Sequence, residues 1–556
     1  MIRSLLIAAM FMGASAAAAA EPVVFHRGTA AEPETLDPHL CDGNACGTPI
    51  YDMFVGLVTD DPEGHVTGGM ADTWTISEDG LRYTFNLRDG LTWSDGVPIT
   101  AADIVYSFSR SLAPETAART SSLLYLIENA RAVSAGTVPV EELGVAAPDP
   151  RTVTIDLERP APYFLETLLI SNAMPVPRHV IEEHGRQWTR PGTMVSNGAY
   201  VLAEWVPQSF VRVTRNPLFF DAENVAIDEV VFYPTTDLST SLKRFRAGEL
   251  DIVLNFPPSQ IGWLRENMPD ALRIHPTLGV YYYVFNTARP PFDDLRVRRA
   301  LSIAVNRDLI VDQILQIGNP PAHGVVPPGI ARHSDPYRPD YADTPYQDRL
   351  AEARALLSAT GFGDDNPLTV TLRYNTQEEH ERIAVALSVM WKEVGVLTEL
   401  DNSDQSTVTR DLEARNFDLA RYAWFAAYND ASTFLELMAS GQPRLNFSGY
   451  SNPEFDALLA EAATMRDLDA RADLLRRAEA LAMADHPLLP IYFYVGKRLV
   501  SSAVKGWIDN PRSANRARWL RIEREYPGAL RTGGWRSGPR PCMKAPARTP
   551  RDSDCA

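Results

Sequence analysis

Basic charge is scarce in this sequence. Lys and Arg number 53 against 71 Asp and Glu, a formal charge of −18. Recognition of a phosphate backbone needs a basic footprint. Only a short C-terminal tail is basic, which argues against a nucleic-acid partner. Long hydrophobic runs are scarce too. Past the N-terminus no segment reaches the roughly 18 apolar residues of a membrane span. The run Leu488 to Val495 is only eight residues long and contains Pro490. Cysteine is rare, four in 556 residues. Cys41 and Cys46 are close neighbours, as are Cys542 and Cys555. Two local bridges are the simplest pairing, while all three connectivities stay open. No His follows either pair at zinc-site spacing.

Catalytic signatures are missing as well. There is no Gly-x-Ser-x-Gly elbow, Ser-x-x-Lys pair or His-Glu-x-x-His. Gly496-Lys497 is no phosphate loop, because Arg498 stands where Ser or Thr is needed. The histidines are scattered; His184, His333 and His380 have acids nearby but no metal-ligand spacing. These absences weigh against an enzyme, and no cofactor is implied.

What is present reads as a large exported α/β chain. Hydrophobic residues make up 45% and charged residues 22%, ordinary globular values that exclude wholesale disorder. The length implies about three to five structural units. Residues 1–20 have the pattern of a cleavable secretory signal: Arg3, an apolar stretch from Leu5 to Met12, and Ala18-Ala19-Ala20 before Glu21. No Cys follows the cleavage site, so a lipid anchor is not expected. Arg82 to Leu87 alternates with period two and predicts a strand, with Gly90 and Gly96 in turns that need positive φ. Thr100 predicts a helix N-cap. Helices are expected at Leu295 to Ile317, Arg349 to Thr360, Glu381 to Val394 and Asp456 to Ala484. Strands are expected at Thr369 to Tyr374 and Phe417 to Trp424. Residues 525–556, rich in Pro and Arg, read as a disordered tail.

Four blocks carry a family likeness. They are Gly80 to Asp103 with its Trp93-Ser94-Asp95-Gly96, Ser196-Asn197-Gly198-Ala199-Tyr200, Arg246-Ala247-Gly248-Glu249-Leu250-Asp251, and Pro291 to Leu301. In this order and at these distances the sequence resembles the periplasmic oligopeptide-binding proteins of peptide ABC transporters, in bacterial extracellular solute-binding protein family 5. Tyr281-Tyr282-Tyr283 and Trp424 to Asn429 favour the oligopeptide branch over the dipeptide and nickel branches. The resemblance covers about Glu21 to Arg524. It implies a two-lobe, type II-like periplasmic-binding-protein fold with an extra subdomain in lobe I. Lobe I would comprise 21–45, 165–278 and 495–524, with 46–164 as the inserted subdomain, and lobe II would comprise 279–494. The implied partners are an oligopeptide or peptide-like ligand and an inner-membrane permease with cytoplasmic ATPase subunits. A periplasmic monomer is the family expectation. The first alternative is the same receptor fold binding a non-standard solute, an N-blocked, γ-linked or murein peptide or an oligosaccharide. An exported hydrolase on the same scaffold is the weaker alternative, from another class.

The resemblance also implies site residues. Arg421 and His380 match positions that meet peptide C-termini, and a planar guanidinium suits a carboxylate. A structural ion pair is the other reading of Arg421. A further family arginine is Leu412 here. Tyr106 matches a ligand-side tyrosine or packs beneath the cleft. Trp424 is expected in a pocket wall, beside the matching Asn429. The family aspartate that receives the peptide ammonium aligns with Ala427. Either another acid such as Asp430 substitutes, or the ligand lacks a free amine there. A family pocket tryptophan is Gln405, and two family cysteines are Gly279 and Phe425. Cys41 and Cys46 bracket a loop that in the family presents backbone groups to the peptide, so a bridge there either stiffens the site or simply stabilises the fold.

Overall fold

The structure, a computed structural model, describes residues 21–118, 120–333 and 335–524. The expected signal segment, the tail 525–556 and Cys542 and Cys555 within it lie outside the described residues. Among the described residues no helix is long and apolar enough to cross a membrane.

Two long antiparallel strands, Leu272–Phe285 and Leu488–Val500, run through the middle of a ten-stranded sheet. On one side of them lie Ile252–Val253, Val24–Thr29, Glu229–Pro234, Phe210–Arg215 and Tyr200–Val206. On the other lie Leu419–Phe425, Leu368–Asn375 and Val396–Ser403. A separate four-stranded sheet, Ala71–Ile76, Arg82–Leu87, Thr152–Asp156 and Val145–Asp149, shares a hydrophobic core with the first group. Trp93 and Phe85 are fully buried in the first lobe's core, with Trp188 and Phe25.

The second lobe shows why a run of three tyrosines is a strand. Tyr281, Tyr283 and Phe285 point into one core with Trp391 and Leu301. Val280, Tyr282 and Val284 point into another with Phe434 and Leu475. Side chains alternate across a strand. A strand covered on both faces therefore reads as continuously apolar, without polar alternation.

Local signals explain most element ends. The Asp103 carboxylate accepts the Thr100 N–H at 2.8 Å and starts the helix Ala101–Leu112. Gly90 and Gly96 have φ of 72° and 88°. Asp294 accepts the Arg296 N–H at 2.8 Å and starts Leu295–Ile303. Arg296 and Arg299 form ion pairs with Asp294, Asp340 and Glu352. Arg298 is buried and donates to the carbonyls of Phe292 and Asp485.

Two expected helices are divided. The Leu295 to Ile317 helix stops at Ile303, and Asn306, whose side chain accepts the Leu309 N–H, starts a short new turn. Asp456 to Ala484 is two helices, Pro453–Thr464 and Leu468–Ala484, because the Asp467 side chain accepts from Asp469 and Ala470 and recaps the chain. An N-cap Asp inside an apolar pattern outweighs the periodicity around it.

The crossing strands lose register between Pro276 and Val280, opposite Val495 and Phe493. Such a bulge bends a strand and re-aims its side chains. Thr277, Leu278, Tyr494, Val495 and Gly496 from this stretch form the floor of a cleft between the lobes. Gly496 is required there, since a Cβ would lie 2.4 Å from the His275 ring.

Candidate functional site

The cleft has a volume of 780 Å³. The first lobe contributes Arg27, Asp52, Asp60, Asn255 and the segment from Pro511 to Arg516. The strand end Phe425, with Ala426, Ala427 and Tyr428, contributes the other wall. The volume lies within the usual range for ligand sites.

One wall is aromatic. The Phe425 ring is 55% exposed and stands 4.7 Å from Tyr494. Tyr494 meets Tyr492 at 5.0 Å, Tyr492 stacks on Tyr281 at 4.7 Å, and Tyr281 meets His380 at 5.4 Å. Phe425 is the register partner of Gly279. Its ring occupies the space above that glycine, where a Cβ would approach within 2.6 Å. The two positions that hold cysteines in the family resemblance are therefore cross-strand neighbours filled by one phenyl group.

Arg421 sits inside this aromatic column. Its guanidinium donates to Asn375 Oδ1 at 3.1 Å and to the Tyr494 hydroxyl at 2.9 Å, and lies 4.5 Å from the Tyr281 ring centre. The side chain is buried and Nε has no partner. All its partners are neutral, and no ion pair forms with it among the described residues. The expectation of a structural acid beside Arg421 is thus not met. A buried cation without a counter-ion is costly. The arrangement suits a carboxylate that arrives from outside. His380, buried behind Tyr281, is held neutral. Burial, helped by the Arg421 charge, lowers its pKa to about 3.

The other expected residues are placed as follows. Ala427 lines the cleft. Asp430 is already engaged: Arg471 grips its carboxylate with two hydrogen bonds of 2.6 and 2.9 Å. Asn429 is buried and accepts the Ala331 N–H at 3.0 Å. Trp424 packs on the second lobe's core and donates to Thr433 at 3.2 Å. Tyr106 is half-buried on the first lobe, with Arg178 5.4 Å from its ring centre. Gln405 is exposed and reaches only Thr409, at 3.1 Å. Cys46 is buried and bonded to Cys41, while its neighbours Asn44, Gly47 and Thr48 line the cleft. Of the eight residues expected at the site, the cleft lining holds Ala427, and Arg421 touches it through Tyr494.

The disulfide closes a short loop at the cleft edge. In the chain-entropy account a loop of this length is worth about 2 kcal/mol. Replacing both cysteines by Ser is expected to lower unfolding stability by that amount, read as a shift of the urea midpoint at constant slope.

Beyond these, Tyr428 is buried in the first lobe's core although it follows a second-lobe strand. Its ring stacks on Tyr163 at 4.4 Å with 4° between planes. Residues not anticipated from sequence are Tyr494, which couples Arg421 to the cleft, and Lys497, which lines it. They stand three residues apart on the strand Leu488–Val500, so period-two reading does not put both on one surface, yet both line the cleft.

The model for bacterial extracellular solute-binding proteins of family 5 matches residues 65–446. The periplasmic oligopeptide-binding protein OppA of Escherichia coli is 36% identical over 505 residues, covering 89% of this chain and 92% of that protein. The probable deoxycholate-binding periplasmic protein YgiS of E. coli is 38% identical over 492 residues, covering 88% and 91%. The MppA periplasmic murein tripeptide binding protein in its unliganded open form superposes with a TM-score of 0.84 at 36% identity, covering 90% of this chain and 98% of that one. Another structure of E. coli MppA, also 36% identical and covering 91% and 99%, gives 0.73. The lobe arrangement here is therefore nearer to the structure described as open.

Proposed function

The chain belongs to the bacterial extracellular solute-binding proteins of family 5, and on that premise we propose that it is a periplasmic, non-catalytic receptor. It binds an oligopeptide or peptide-like solute between its lobes and delivers it to an inner-membrane ABC permease. The lobes divide at the bulged crossing strands, as 21–45, 165–278 and 495–524 against 279–494, with 46–164 inserted in the first. Closure about the register break buries the ligand. The backbone of an extended peptide is met by backbone groups, and side chains enter roomy pockets. The observation that carries this reading is Arg421, a buried guanidinium with only neutral partners, one tyrosine away from the cleft. It receives the ligand's carboxylate.

A second reading concerns the other end of the ligand. Ala427 cannot neutralise an ammonium, Asp430 is taken by Arg471, and the exposed Phe425 adds an apolar surface. These favour an N-blocked or otherwise amine-free solute. One relative is named for deoxycholate, an apolar carboxylate without an amine.

The test is thermal unfolding of ligand-stripped protein with a pool of tri- to pentapeptides, free or N-acetylated, followed by recovery of the bound peptide. Ligand at about 100 times Kd adds roughly 2.7 kcal/mol to stability. Stabilisation with intact peptide recovered is the expected result. Stabilisation by the acetylated pool alone selects the second reading. No stabilisation by either pool overturns the peptide receptor, and cleaved peptide overturns the non-catalytic role.

A further inference from the structure

Lys497 lines the cleft from the second crossing strand. Among the described residues its ammonium has no hydrogen bond and no ion pair; the Phe256 ring centre lies 5.8 Å away. The two carboxylates in the cleft lining are already engaged. Asp60 is held by both arms of Arg516, at 2.9 and 2.8 Å. Asp52 accepts the Ala517 N–H at 2.8 Å and faces Arg27 at 4.0 Å. Glu379, the one acid whose charge reaches Lys497, accepts the Tyr492 hydroxyl at 2.8 Å. The lining cations are Arg27, Lys497, Arg512 and Arg516. Arg512 is matched by Glu166 outside the cleft lining.

On closure the cleft loses water, and each charge in it needs a partner. Of the four lining cations Lys497 alone has no acid of the protein in contact, and Arg421, behind Tyr494, has only neutral partners. We propose that the ligand carries two anionic groups, its terminal carboxylate at Arg421 and a second carboxylate or phosphate at Lys497. This rests on the receptor reading above and makes the physiological solute an acidic one. Partial burial already presses the Lys497 pKa below the usual lysine value, and Glu379 only offsets this in part. An anion delivered by the ligand relieves that penalty; a neutral side chain leaves it in place.

The experiment uses the full mature chain and tetraalanine peptides, free and N-acetylated, with Glu, Gln or phosphoserine at position one, two or three. Titration calorimetry is expected to show one position at which Glu or phosphoserine binds at least tenfold more tightly than Gln. The two acidic residues separate a carboxylate seat from a phosphate seat. In Lys497→Met that ratio falls to within twofold, and in Lys497→Gln, which keeps a polar head of similar length, it does the same. Equal binding of acidic and Gln peptides at every position overturns the inference while the peptide receptor stands. A tenfold preference that survives both variants overturns the assignment to Lys497. Silence from all the peptides overturns the receptor reading and this inference with it.

Discussion

Replacing Arg421 with Met is expected to weaken binding of peptides with a free C-terminal carboxylate by 30-fold or more. Losing one partner of a buried charge pair costs roughly 2 to 5 kcal/mol, and each 1.4 kcal/mol is a factor of ten. Met keeps the apolar stem against Tyr281 and removes the fork that reaches Asn375 and Tyr494. The control is a C-terminally amidated peptide. In the unchanged protein it loses affinity for want of the anion; in Arg421→Met it loses nothing more. Titration of both ligands against both proteins closes a double-mutant cycle. A coupling energy near zero would remove Arg421 from the site. The free variant is expected to be at least as stable as its parent, since it no longer buries an unmatched cation.

The second large effect is loss of stability in mild acid. Burial lowers the pKa of His39 to about 4 and of His486 to about 3. It lowers His275 to about 4, and His323 and His380 to about 3. An unfolded His titrates near 6.5. Between there and pH 4 the unfolded chain binds protons that the folded chain refuses, so stability falls as pH falls. At pH 5 this amounts to about 2 kcal/mol for each fully enclosed His. His39 and His486 therefore contribute most, and the other three add to them. Asp37 and Asp60, held low against desolvation by Arg110 and Arg516, push in the same direction at lower pH. Asp52, Glu166 and Glu436, raised by burial, push the other way. Melting temperatures at pH 7, 6, 5 and 4 are expected to fall steadily, and His39→Gln to flatten the slope. A flat profile between pH 7 and 5 would show that these rings are accessible to protons in the folded state.

Much of this architecture was readable from residues. Thr100, Gly90 and Gly96 sit where local chemistry puts them, and the long blocks identify the family over nearly the whole mature chain. Gly279 and Phe425 are a different case. Substitution at both positions is visible in the sequence, but their being cross-strand partners is a matter of register, which depends on the whole sheet. The same holds for Arg421. Its residue type announces a charge, yet its lack of a counter-ion is a property of Asn375, Tyr281 and Tyr494, brought together from three strands. Lys497 is three residues from Tyr494, so strand periodicity alone does not place both in the cleft. Asp430 misled for the opposite reason: its closeness to Ala427 along the chain is real, but Arg471, from a distant helix, had already claimed it.

The Tyr163–Tyr428 stack has a mechanical consequence. Tyr428 stays with the second lobe, since the next two residues are tied there, Asn429 to Ala331 and Asp430 to Arg471. Tyr163 lies across the boundary, so the stack is a contact between the two bodies and not part of either. Hinge rotation must keep these rings parallel or part them, and an aromatic pair of this kind is worth about 0.5–1.5 kcal/mol. A contact that weak favours one starting angle of the empty protein without locking it.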